Sequence, residues 1–191
     1  MRTKKGEAGY IRSHKMKLAV GVLIGFALVG AMVFVGYKTT GTKLNLLTLV
    51  AILGCLPVCR TLVNLIVMVP YHSINEAREL EISGATGNLT VLYDLIITSE
   101  KKAMPIQAVV ISNRTVCGYA RDKRVDTAYA AQHIKSMLAQ NQLDKITVKI
   151  FTDYTAFLAR AEGMDNIASV EQEDNSRMEK RISRLILDIS L

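Results

Sequence analysis

Two near-unbroken apolar runs fill most of residues 18–69, and no one-piece soluble globule can absorb both. The first, residues 18–37, is 20 residues without a charge. As a helix rising 1.5 Å per residue it is about 30 Å long, the thickness of a bilayer's hydrocarbon core. A cleaved signal peptide would carry a shorter apolar stretch of about 7 to 15 residues, closing on small side chains. Here Tyr37, Lys38 and two threonines follow, so the run predicts an uncleaved span. The second run, residues 44–69, spans about 39 Å as a straight helix and contains Pro57 and Arg60. Proline removes a backbone donor and predicts a kink at 57. An arginine costs about 2.5 to 3.5 kcal/mol at the bilayer centre, but residues 44–59 precede Arg60, placing it past the midplane where it can snorkel. Gly21 and Gly25 form a GxxxG pair that suits close packing of the two helices.

The formal charge of +7 belongs to the flanks of these runs. Residues 1–17 hold Arg2, Lys4, Lys5, Arg12, Lys15 and Lys17 against Glu7, and the link at 38–43 adds Lys38 and Lys43. Residues 71–191 hold 15 Lys and Arg against 16 Asp and Glu. A nucleic-acid surface needs a concentrated basic excess, which that region lacks, so no nucleic-acid partner is expected. By the positive-inside rule the basic flank at 1–17 is cytoplasmic and the link at 38–43 external. The chain then returns to the cytoplasm at the end of the second run. Three cysteines, Cys55, Cys59 and Cys117, are too few for a secreted disulfide scaffold and fit a reducing compartment. The expected location is therefore the cell (plasma) membrane, multi-pass, with both termini cytoplasmic.

Residues 70–84 read as a connecting helix, with Ser73 as N-cap, Glu76 completing a capping box, and Gly84 as terminator. Residues 85–191 then read as an α/β domain. Strands are expected at 89–98, 106–112 (opened by Pro105), 115–120 and 145–152, with Asn113 and Arg114 as a hairpin turn. Asp126 caps a helix to about Asn141, in which Ala130, Ile134, Met137 and Leu138 share one face. Asp153 caps another that stops at Gly163, and a final helix at 177–191 stripes Met178, Ile182, Leu185, Ile186 and Ile189. The fold class is thus an α-helical transmembrane hairpin followed by a small α/β domain with a mixed four-stranded sheet.

Motifs that carry chemistry are scarce. The sequence has no GxxxxGK[ST], and no GxGxxG between a strand and a helix. His14, His72 and His133 are far apart, and Cys55 and Cys59 lie inside a span. Cys117 and His133 form a conceivable nucleophile and base, but a lone strand cysteine more often fills a core. Arg60 and Asn64 are read as structural, since two spans without an acid make a poor pore.

The order helix, strand, hairpin, helix, returning strand resembles the core of restriction-endonuclease-like domains, including nuclease-related domains of bacterial membrane and signalling proteins. In that family an acid follows an isoleucine early in the second strand, and the third strand ends in an acid and a lysine one residue apart, which bind a divalent metal. The matching stretch here runs from Ile106-Gln107 to Ala120-Arg121-Asp122, with Gln107, Ala120 and Asp122 in place of acid, acid and lysine. Hard cations need oxygen ligands, preferably charged, so the resemblance implies a degenerate, non-nuclease version. The segment 53–64, LGCLPVCRTLVN, together with the hairpin and the α/β domain, is similar to uncharacterised small membrane proteins of Gram-positive bacteria, a likeness that implies no activity.

The reading that results is an integral membrane protein whose tethered, non-catalytic cytoplasmic domain binds a protein partner, with no cofactor, no metal and no catalytic residue assigned. The alternative is a membrane-attached hydrolase or nuclease using acids such as Glu79 and Asp94.

Overall fold

The computed structural model describes residues 4–41, 46–99, 102–170 and 176–191. The chain forms two compact units, one of Ile11–His72, the other of Met1–Tyr10 joined to Ser73–Leu191.

The first unit is built on α1 (Tyr10–Thr40) and α2 (Leu46–Met68). Both are long and apolar enough to cross a membrane. Within residues 18–37 only Val22 and Gly36 are buried, and among the described side chains of α2 only Ala51 and Met68. Helix α1 starts at Tyr10 rather than 18, because Arg12, Lys15 and Lys17 are good helix formers and nothing there breaks the turn. Half of the expected basic tail is therefore helix. Helix α2 runs through Pro57, and Thr61 Oγ1 donates to the Pro57 carbonyl at 2.9 Å. Of the GxxxG pair only Gly25 is in tight contact: a Cβ there would lie 2.6 Å from Val58 Cγ2, whereas one at Gly21 would meet nothing within 4 Å. Lys15 Nζ donates to the Val69 carbonyl at 2.8 Å and to that of Tyr71, satisfying acceptors just past the end of α2.

The second unit is a three-layer α/β sandwich. Its sheet has the order β1-β2-β3-β4, from β1 (Thr90–Thr98), β2 (Ala103–Ser112), β3 (Thr115–Tyr119) and β4 (Thr147–Phe151). The first three strands are an antiparallel meander, and β4 lies parallel to β3. On one face α4 (Thr127–Gln140) and α6 (Ser176–Asp188) bury Ala130, Ile134, Leu138, Ile182 and Ile186 against Leu92, Leu95, Ile106, Val109 and Ile111. On the other, α3 (Glu76–Ala85) and α5 (Tyr154–Val170) bury Ile82, Phe157, Ala161 and Met164 against Ala108, Val110, Cys117 and Tyr119. The mixed four-stranded sheet is the one the periodicities predict.

Several boundaries differ from the sequence reading. Helix α3 begins at Glu76 with Asn75 at its N-cap and no side-chain cap, so the Ser73 capping box does not form. Because Ile74 and Ile82 are buried in the second core, the compact α/β unit begins at Ser73 instead of residue 85. Strand β2 starts at Ala103 and takes in Pro105, which pairs with Ile96 where β2 reaches beyond β3 and needs no second ladder. Helix α5 continues through Gly163 to Val170, since Ala161 and Met164 on either side of it are pinned to the core. Helix α6 stops at Asp188, and the last residues become extended: Ser190 bridges Ile97, and Leu191 N–H donates to the Ile96 carbonyl at 2.8 Å. The acidic stretch at 171–175 lies outside the described residues.

The outer edge of β1 is also met from the N-terminal side. Tyr93 N–H donates to the Gly6 carbonyl at 2.8 Å, and Lys5 Nζ donates to the Ser190 carbonyl at 2.5 Å. Gly6 has φ +91°, and a Cβ on it would sit 3.0 Å from Leu187, so only glycine fits this strap.

Candidate functional site

The most unusual chemistry of the α/β unit lies where β1 and β2 break their alternation together. Leu92 and Leu95 face the same core, as do Ile106 and Val109, so each strand carries one extra residue, Asp94 and Gln107. The ladder pairs Tyr93 with Ala108 and Leu95 with Ile106, and the extra residues face each other between them. Asp94 has φ +55° and is 2% exposed; Gln107 is also buried. A left-handed aspartate costs less than most residues there, because its short polar side chain can bond locally. Asp94 Oδ1 accepts the Ile74 N–H at 2.8 Å, while Oδ2 is buried with no partner among the described residues.

Next to it, the Tyr93 hydroxyl is buried and has no partner among the described residues. Burial, reinforced by the negative charge of Glu79, pushes that phenol up to about 12. Farther along, Arg78 Nη1 donates to Tyr119 Oη at 3.0 Å and its guanidinium lies 4.7 Å from the Tyr154 ring centroid. Tyr154 Oη donates to Glu81 Oε2 at 2.6 Å. Desolvation and then that carboxylate hold the Tyr154 phenol well above the usual tyrosine range. These contacts knit α3 and α5 over β3 and leave the aromatic cluster edge-to-face, with Tyr119 and Tyr154 centroids 5.3 Å apart.

The other residues singled out by sequence do not converge. Cys117 is buried under α5, and burial raises its thiol against the opposing hydrogen bond and charge of Arg160. His133 is on α4, across the sheet, stacked on Tyr129 and bonded through Nε2 to the Thr98 carbonyl at 3.2 Å. The nucleophile and base are therefore on opposite faces. Ala120 is buried, and Asp122 is at the surface paired with Arg124 at 2.9 Å, which pulls the Asp122 carboxyl below its usual range. The charge of Glu79 acts on Tyr93, while Asp94 gives its Oδ1 to the Ile74 N–H. Among the described residues no group of three or more His, Cys, Asp or Glu could hold a metal ion. Sequence reading named Asp94 and Gln107 separately but missed that they form one site; the three-residue interval from Leu92 to Leu95, odd for a strand, was the available signal.

Two cavities border neither residue. One, about 660 Å³, lies between the apolar helices and is lined by Gly30, Val33, Phe34, Tyr37 and Thr48. The other, about 260 Å³, lies beside the β3–β4 end of the sheet, with Arg114, Asp144 and Lys145 at its rim. No protein family, curated protein or solved structure matches this chain.

Proposed function

We propose that this is a bilayer-anchored protein whose cytoplasmic α/β unit binds a protein partner, with α1 and α2 as a hairpin and both termini inside the cell. The observation that carries the anchor is the exposure of most of the described apolar side chains of α1 and α2, among them Leu23, Phe34, Leu46, Leu56 and Ile66. Exposed apolar area of that extent is stable only when something apolar covers it. The orientation rests on Lys and Arg flanking the start of α1, against two in the 38–43 link. Binding rather than catalysis is favoured because several acids of the α/β unit are held in structural hydrogen bonds: Asp94 Oδ1 accepts from Ile74, Glu179 from Asn113 and Thr90, and Asp165 from Asn88.

Topology is tested in a background lacking the three native cysteines. A cysteine at Thr39 is expected to react with an impermeant maleimide from outside the cell, and one at Ser176 only after lysis. The reverse pattern would discard the orientation.

The nuclease-like alternative draws on one specific observation, the agreement of element order and mixed sheet with the resemblance given above. Its proper test is incubation of residues 73–191 with DNA and RNA in magnesium or manganese. Cleavage that disappears with Asp94→Asn would replace the binding reading with an enzymatic one.

A further inference from the structure

Arg60 sits on α2 in the midst of the apolar stretch, with an exposed side chain, and no described residue accepts a hydrogen bond from it. Its depth follows from the contact of Gly25 with Val58, which fixes the level of the two antiparallel helices. By that level Arg60 is beside Leu23, about 7 Å from the centre of the uncharged 18–37 run and about 7 Å inside its boundary. Snorkelling towards the nearer boundary would run along the C-terminal direction of α2. Every Cα–Cβ bond of a helix tilts towards its N-terminus, so the side chain of Arg60 sets out towards the centre, away from the nearer headgroups. A guanidinium does not deprotonate, and it is matched best by a carboxylate in fork geometry. Asn64 follows one turn on, also exposed, and Leu56 precedes by one turn, so a polar pair marks one side of an otherwise apolar helix.

A second copy of this chain is a poor occupant, because a parallel two-fold arrangement on this face brings Arg60 against Arg60. We propose that the α2 face bearing Leu56, Arg60 and Asn64 docks a transmembrane helix of another protein that presents an aspartate or glutamate at the depth of Arg60. The inference rests on the bilayer-hairpin reading and assigns part of the partner's chemistry. It places recognition in the membrane, in addition to any contact made by the α/β unit.

The full chain, donor-labelled and reconstituted in phosphatidylcholine vesicles, is titrated with acceptor-labelled polyleucine transmembrane peptides carrying either one Asp or only Leu at the matching depth. Energy transfer to the Asp peptide is expected at about tenfold lower peptide density than to the Leu peptide. Arg60→Leu should erase the preference and Arg60→Lys should keep most of it. Equal transfer to both peptides, or a preference that survives Arg60→Leu, overturns the proposal. So does a preference that vanishes in phosphatidylglycerol vesicles, which would give Arg60 to lipid phosphate. Alkaline extraction separates the two readings: protein retained in the pellet without a peptide preference refutes the docking face alone, and protein released refutes the hairpin with it.

Discussion

The backbone N–H of Ile74 donates to Asp94 Oδ1 at 2.8 Å, fastening the chain that leaves the helical unit to a β1 residue whose φ is +55°. Replacing that carboxylate removes the acceptor of a buried donor and leaves a side chain ill suited to a left-handed backbone. Asp94→Ala is expected to cost the α/β unit about 3 kcal/mol, from an orphaned N–H of about 1 to 3 and a left-handed penalty of about 1 to 2. Asp94→Asn keeps an acceptor and tolerates the backbone, so it should cost about 1 kcal/mol or less. Urea unfolding of residues 73–191 checks both, and equal losses would mean that the charge of Asp94 matters more than its bond.

A soluble piece beginning at residue 85 should be much less stable than one beginning at Ser73. The shorter piece lacks Ile74 and Ile82, both buried, and each is worth about 1.5 to 3 kcal/mol of burial. Joining residues 4–9 through a flexible linker to 73–191 should raise the melting temperature by a few degrees, because the strap restores the Gly6–Tyr93 and Lys5–Ser190 bonds. Calorimetry of the three proteins orders them.

Stability should fall in alkali through Tyr93. Its folded pKa of about 12 is raised above the unfolded tyrosine value of about 10. The contribution is therefore complete below pH 10 and is lost as pH rises through about 12. Discounted for the partial exposure of the ring, the loss is about 1 to 2 kcal/mol. Tyr93→Phe should flatten most of that slope without lowering stability at neutral pH, because the hydroxyl it removes is buried and has no partner among the described residues. Urea midpoints of the two proteins between pH 8 and 12 make the comparison; Tyr154, raised in the same direction, leaves a residual slope.

In the helical unit, Gly25→Val should force the helices apart, since a Cβ there would lie 2.6 Å from Val58 Cγ2. Val58→Ala should restore packing to the double variant. Thermal unfolding in detergent is expected to rank wild type and the double variant together, above Gly25→Val; a Gly21→Val control, with nothing within 4 Å, should be silent.

Much of this architecture is legible in the amino-acid sequence alone. The uncharged 18–37 run, the period-two strand around Ile146, Val148 and Ile150, the Asn113–Arg114 turn and the α4 stripe each announce themselves locally, because burial on one face imposes a period on neighbouring residues. What stayed hidden is non-local. Nothing in residues 4–9 shows that the Gly6 carbonyl will meet Tyr93, as charge composition reads that stretch as a basic flank. Gly163 looks like a helix stop until Met164 is found in a core. Asp94 and Gln107 escaped for another reason: a period-two template fits each half of its strand and simply resets at the extra residue.

That reset behaves like a reading frame. The pairing of β1 with β2 keeps one register from end to end because each strand is out of step by one at the same place. Deleting Asp94 alone would set Leu92 and Leu95 at the ordinary period-two interval and leave Gln107 as an unmatched extra residue opposite an unbroken β1, and deleting Gln107 alone would leave Asp94 unmatched in the same way. Deleting both restores step on the two strands at once. The second deletion is then a suppressor of the first, a compensation written between strands instead of between codons.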